Sequence, residues 1–256
     1  YQQTTSRPVL LLIDTTFAPG SQILSKIEKL FPHLPTMIFI SMSKSISRGM
    51  TTAGTLISGS SNEACQLLQQ VHTATAMFDT KAKSDQMKRL IENHVGVEER
   101  CQAAYQNACY LGKVLQDAVY ELCGGRYEMS LAFVTKENAQ DGFTSSTFSF
   151  NLPSISWTRP PSSSASSDAH ADADADGDME INANLAQRFV TLLCEHTEEF
   201  KPCVSFGQDN GLVYATVPAT STQGAIHPDD KAKQAVGGVQ LTRLSFPPSC
   251  DLGKLE

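Results

Sequence analysis

Lys44 stands among small hydroxylated residues, Ser41-Met42-Ser43-Lys44-Ser45, at the end of the apolar run Met37-Ile38-Phe39-Ile40. Asp14 likewise ends an apolar run, Val9-Leu10-Leu11-Leu12-Ile13. A lysine amine can bond a carbonyl carbon, and a carboxylate can hold a proton on a ring nitrogen. Together they suit pyridoxal phosphate (PLP), whose ring then serves as an electron sink. Ser41 and Ser43 offer hydroxyls to its phosphate. Either residue alone has an ordinary reading, Asp14 as a turn or cap residue and Lys44 as a solvated loop cation.

The pairing has force only if the surrounding elements bring the two residues to one place. Two continuous apolar runs separated by a helix-length segment predict buried parallel strands of an α/β sheet, over 8–13 and 37–40. Ligands of open α/β sheets sit outside the carboxyl ends of the strands, which is where both residues fall. Ser21 is the expected N-cap of an intervening helix over 22–30, which Pro32 and Pro35 end. A third strand is predicted over 53–58. Arg48 is a candidate anion contact in the turn between, though a solvated loop arginine is the commoner case.

Helices are predicted over 61–75, 79–95 and 97–122 from apolar residues at helical spacing. The last stops at Gly124-Gly125, a C-cap signal. Beyond it the pattern changes to strands over 127–134, 144–151, 213–217 and 239–246, with a helix over 182–196 and a strand or turn over 204–207. These features divide the chain into 1–95, part of a larger domain; 96–125, a linking helix; and 126–256, a smaller α+β domain. Residues 160–180 form a low-complexity insertion, expected as a mobile surface loop. Asp172 to Asp178 imitates the first half of an EF-hand loop. Position twelve is Ala183 rather than Glu, so no calcium site, and no metal of any kind, is expected. Arg243, in the last strand, has a planar fork that suits a carboxylate clamp; a strand arginine is more usually an edge solubiliser or half of an ion pair.

With 256 residues the chain is long enough for one large domain or somewhat more. Its net charge of −7 argues against a nucleic-acid or anionic-membrane surface. No apolar run approaches the roughly 18 residues of a membrane span. The seven cysteines are scattered, without a C-x-x-C pair, so reduced thiols in a cytoplasmic or organelle-matrix protein are expected. The sequence starts at Tyr1 and enters a site-bearing strand soon after, which reads as part of a longer polypeptide.

The ordered motifs resemble the C-terminal portion of the Cys/Met-metabolism PLP enzymes: cystathionine γ-synthase, cystathionine β- and γ-lyase, and methionine γ-lyase. Asp14-Thr15-Thr16-Phe17 is similar to that family's Asp-Asn-Thr-Phe, and Ser41-Met42-Ser43-Lys44 to its Ser-Ala-Thr-Lys. Gly54-Thr55-Leu56-Ile57 resembles the strand after the lysine loop. Glu98-Glu99-Arg100-Cys101 with Asn107-Ala108 resembles the start of the long linking helix. Val204-Ser205-Phe206-Gly207 resembles the Ser-Leu-Gly turn, Pro218-Ala219-Thr220-Ser221-Thr222 the Pro-Ala-Ser-Met-Thr loop, and Gly238 to Ser245 the Val-Arg-Leu-Ser strand. Thr15, Ser45, the longer turn at Ser47 to Met50, and Phe246-Pro247-Pro248 depart from the pattern.

The resemblance implies the aminotransferase-like PLP transferase fold (fold type I) and a trans-sulfuration-type enzyme. Such an enzyme acts on a sulfur amino acid by β- or γ-elimination or replacement. It implies Lys44 as the Schiff-base lysine and proton shuttle, and Asp14 on the pyridine nitrogen. Ser41 and Ser43 would bind phosphate, with Thr16 near the ring. Arg243 would hold the substrate α-carboxylate, with Ser205 beside it. It also implies a homodimer or homotetramer, or completion by an upstream N-terminal portion of the same polypeptide. A catalytically inactive scaffold or partner subunit, and another fold type I aminotransferase, are the alternatives.

Overall fold

The computed structural model describes residues 9–129, 131–152, 175–203, 205–209, 211–216 and 242–255, with the backbone for 175–184. Two compact units result, 1–102 with 134–145, and 103–133 with 146–256.

In the first unit, β1 (Leu11–Asp14) leads through α1 (Ile23–Leu30) to β2 (Thr36–Ser41), and β3 (Gly54–Ser58) follows. The sheet order is β1-β2-β3. β1 and β2 are parallel, with Leu11 opposite Thr36 and Asp14 opposite Phe39. Parallel pairing needs a crossover, and α1 supplies it. β3 runs antiparallel to β2. Ser21 does not cap α1. Its N-cap is Gln22, without a side-chain cap bond, because the helix starts one residue too late for the Ser21 hydroxyl to reach the free amides.

α2 (Asn62–Met77) begins at Ser61, whose side chain accepts from the Ala64 amide and caps it. α3 is Ser84–Asn93, shorter at both ends than expected. Leu90 joins Ile40 and Ile46 in a small core. The strands are less buried than their apolar runs predict. Leu12 is 53% exposed and Phe39 37%. Both lie on one face of the sheet, since Asp14 is opposite Phe39 and Leu12 is two residues from Asp14. α1 and α2 pack on the strands, but among the described residues that face stays open.

The 26-residue α4 (Val97–Leu122) matches its predicted span. Gly124 and Gly125 follow it at φ 61° and 72°. The Gly125 amide donates to the Tyr120 carbonyl at 2.9 Å, closing the helix end as their sequence implied.

The second unit holds β4 (Leu131–Ala132), β5 (Thr147–Phe150), α6 (Ala175–His196), β6 (Phe200–Pro202), β7 (Val213–Thr216) and β8 (Thr242–Ser245). A short helix, α5 (Lys136–Gln140), precedes β5 and belongs to the first unit. The five strands order as β4-β5-β8-β7-β6. One face carries Phe148, Phe150, Leu244, Val213, Ala215 and Phe200, buried with Ala108, Leu111 and Val119 of α4 and Val190 of α6. Gly112 lets α4 approach closely: a Cβ there would meet Leu131 Cδ1 at 3.0 Å. Phe148 is the centre of this core. It stacks on Phe246 with centroids 5.4 Å apart and meets Phe133 edge-on at 6.0 Å.

Three expectations change here. The helix expected over 182–196 begins at Ala175, so 175–180 is helical rather than loop. Alanine favours helix and aspartates suit a first turn. The strand expected over 127–134 shrinks to two residues. β6 and α5 are too short to leave a periodic signal. The rest of the insertion, the 217–241 stretch and Val204 lie outside the described residues.

Candidate active site

In the first unit the parallel register of β1 and β2 makes both strands end at one edge. The Thr15 amide donates to the Phe39 carbonyl at 3.0 Å, the last rung between them. Asp14 Oδ1 accepts from the Thr16 amide at 2.9 Å, a turn that Asp readily forms with its own backbone. Thr16 is buried, and its Oγ1 accepts from the Ser41 amide at 2.9 Å. Thr16 thus ties the end of β1 to the start of the lysine loop. The Ser41 and Ser43 hydroxyls lie 2.7 Å apart.

The loop itself is held firmly from behind. The Met42 amide donates to Ala53 O at 2.9 Å, the Ser47 amide to Met42 O at 3.0 Å, and the Arg48 amide to Lys44 O at 2.9 Å. The buried Ser47 hydroxyl donates to Thr51 O at 3.2 Å. Arg48 and Gly49 take left-handed φ values of 57° and 78° to turn the chain. Arg100 reaches in from the first turns of α4 and donates to Ser45 O at 3.0 Å and to Asn93 O at 3.2 Å. Burial pushes the neighbouring Cys101 thiol above its ordinary pKa, against a smaller opposing effect of its hydrogen bond with Ser45. Lys44, Ser41, Ser43, Asp14 and Thr16 therefore converge on one sheet edge. The chemistry available there is an amine, a carboxylate and paired hydroxyls.

Arg243 and Ser205 belong to the second unit. Arg243 is 9% exposed in the central strand β8. Burial pushes its pKa down, with the Cys203 thiol close enough to oppose the shift; a guanidinium stays protonated regardless. The Ser205 amide donates to Cys203 Sγ at 3.3 Å, and its hydroxyl accepts from Gln208 Nε2 at 3.0 Å. The Cys203 amide donates to Ala215 O at 3.2 Å, extending the pairing of β6 with β7 by one residue.

Sequence reasoning quoted Arg100 only within the Glu98–Cys101 motif and gave it no role at the lysine loop, because backbone carbonyl acceptors such as Ser45 O leave no side-chain pattern in the sequence. It also overlooked Cys203, which nothing in its immediate sequence distinguishes. Among the described residues no group of histidines, cysteines and carboxylates could hold a metal ion. Nor is any described helix long and apolar enough to cross a membrane.

No family model matches the sequence, and no curated protein sequence matches it. Solved structures do. Cystathionine γ-lyase from Lactobacillus plantarum, complexed with L-serine, superposes with a TM-score of 0.59 at 16% identity, over 96% of this chain and 55% of that one. Cystathionine γ-synthase from Xanthomonas oryzae pv. oryzae gives 0.57 at 18% identity, over 96% and 53%. The fold is theirs: the aminotransferase-like α/β fold, fold type I. A putative O-acetylhomoserine (thiol)-lyase from Campylobacter jejuni, whose structure contains N'-pyridoxyl-lysine-5'-monophosphate, gives 0.58 at 11% identity, over 99% and 66%. This chain spans about half the length of the first two structures, 55% and 53%.

Proposed function

We propose that this chain is the lysine-bearing portion of a PLP-dependent enzyme of sulfur amino-acid metabolism, a cystathionine lyase or synthase in type. One observation carries the reading. Parallel pairing of β1 with β2 sets Asp14 and the Ser41–Lys44 loop at the same sheet edge, joined there by the bond from the Ser41 amide to Thr16. The donor set suits the cofactor: one amine for its aldehyde carbon, one carboxylate for its ring nitrogen, and two hydroxyls for its phosphate. The fold shared with the cystathionine γ-lyase and γ-synthase structures supports the same reading.

PLP bound there would supply an electron sink for charge developing at the substrate carbons. Lys44 would hold it through Nζ and, once released, carry a proton to and from the substrate carbon. Asp14 would keep the ring nitrogen protonated, and Thr16 would hold the Asp14 turn against Ser41. Ser41 and Ser43 would donate to the phosphate. Arg243, with Ser205, would hold the substrate α-carboxylate. The amino-acid substrate would be broken or joined at Cβ or Cγ.

Completing such a site takes more than this chain. The exposed Leu12 and Phe39 beside Asp14 favour a covering segment. We assign it to an upstream portion of the same polypeptide or to another subunit of a homodimer or homotetramer. The same exposed face favours a second reading, a non-catalytic subunit that pairs with an active one.

The test is an absorbance spectrum of the full-length protein purified with PLP, beside Lys44→Ala. A visible band present in the wild type and lost in the variant is expected. Keto-acid release from cystathionine, methionine or an O-acylhomoserine would then name the reaction. No band in a protein whose circular dichroism shows it folded would overturn the cofactor reading and leave the non-catalytic subunit.

A further inference from the structure

A cavity of about 520 Å³ lies in the first unit, against the lysine loop. Met42 and Ile46 of that loop line it, with Leu90 of α3 and Val97 of α4. Ile46 and Leu90 are buried members of the unit's small core, and Met42 and Val97 pack against it. The cavity is where that core stops short. Met87 and Ile91, one turn apart on α3, also line it and stay exposed. A hollow of this size with mostly apolar walls matches the sites that hold small organic ligands.

The two ionisable side chains that line it are one-sided in their chemistry. His94 Nδ1 lies 2.9 Å from Ile91 O. A carbonyl only accepts, so Nδ1 carries the proton, and Nε2 of the neutral ring is an acceptor. Glu98 lies against the Pro19-Gly20 turn: a Cβ on Gly20 would meet its Cγ at 3.5 Å and its Oε1 at 3.7 Å. Both residues are exposed, so they form the rim. Among the described residues no lysine or arginine lines the cavity, and none forms an ion pair with Glu98. Arg100 is turned instead to Ser45 O and Asn93 O. The rim therefore offers acceptors and a negative charge beside apolar walls.

We propose that this cavity binds a small apolar amine in its cationic form and, when filled, steadies the lysine loop. The apolar body covers Met87 and Ile91, and the ammonium N–H donates to Glu98. An amino acid with the same body is disfavoured, because its carboxylate would face that of Glu98. The site is thus separate from that of the substrate and does not depend on the cofactor. The link to the loop is direct. Met42 accepts from the Ser47 amide and donates to Ala53 O, and both Met42 and Ala53 are cavity wall.

The probe is dimethylphenethylamine, a tertiary amine that cannot form an imine with the PLP aldehyde. The full-length protein, carrying isotope-labelled methionine methyl groups, is titrated with it, with phenylethanol and with phenylpropionate, each with and without PLP. Met77, exposed and outside the cavity, is the internal standard for the methyl NMR signals.

The amine should shift the Met42 and Met87 signals saturably and leave Met77 unmoved. It should bind about threefold more tightly than the alcohol, the scale of an exposed ion pair, and phenylpropionate should bind least. Glu98→Gln should remove the preference for the amine and leave the affinity of the alcohol unchanged. Exchange of the Ser47 amide should slow several-fold with the amine bound. Unmoved Met42 and Met87 signals in the folded protein would overturn the site, as they would if an upstream segment or a second subunit already filled it. Equal affinity for amine and propionate, or a preference kept in Glu98→Gln, would overturn the cationic ligand. Binding with unchanged exchange at Ser47 would overturn the link to the loop. A missing cofactor band alongside the expected shifts would instead fault the PLP reading alone.

Discussion

The two units solve the burial problem differently. The second closes its own core: Phe148 and Phe150 are each 1% exposed, between the sheet and the helices α4 and α6. The first carries the lysine loop on a three-stranded sheet, with Leu12 and Phe39 left in the open. A unit that completes its own core derives stability from it. A unit that leaves an apolar sheet face bare has that stabilisation still to gain from whatever covers it. The candidate cofactor residues lie on this less finished unit, and its local order comes from hydrogen bonds around the loop more than from a large core.

The sharpest way to break the contrast is to compare one residue from each sheet. Phe148→Ala is expected to cost about 3–5 kcal/mol, since it empties the middle of a packed aromatic cluster. Leu12→Ser should change stability by no more than about 0.5 kcal/mol in this chain, as an exposed substitution does. Urea unfolding followed by circular dichroism measures both. A comparable loss from Leu12→Ser would mean that the first sheet is already covered, and the contrast would fall.

A smaller effect tests what holds the lysine loop. Arg100→Gln leaves the carbonyls of Ser45 and Asn93 without their charged donor, at about 1–3 kcal/mol. Hydrogen exchange should quicken at the Ser47 and Arg48 amides and stay unchanged in the β5–β8 ladder. Equal quickening in both places would mean that the loop's order comes from global stability.

The smallest effect is alkaline. Burial favours the neutral Cys101 thiol, so its pKa is higher folded than unfolded. The contribution is complete below the unfolded value, about 8.5, and is lost as pH rises through the folded one. The urea midpoint should fall above that pH, and fall less in Cys101→Ala. The same slope in both proteins would assign the alkaline loss to the second unit, where burial also raises the Cys194 and Cys250 thiols.

The apolar runs before Asp14 and Lys44, the helical stripe of 97–122 and the Gly124-Gly125 stop were all legible in the sequence. Each is a local pattern long enough to dominate its own conformation. The span of α4 and the adjacency of the Asp14 and Lys44 loops follow from such patterns. Ser21 as a cap, the strand over 127–134 and the start of α6 were misread, because a cap depends on a single residue of register and an edge strand on its partner.

Tertiary structure alone decided the rest. No local pattern says that Leu12 and Phe39 stay exposed, since they are as apolar as any core residue. None says that Thr16 ties Ser41 or that Arg100 holds the loop. Those facts depend on which strands become neighbours and in what register, and register is fixed by side chains far apart in sequence that share one face.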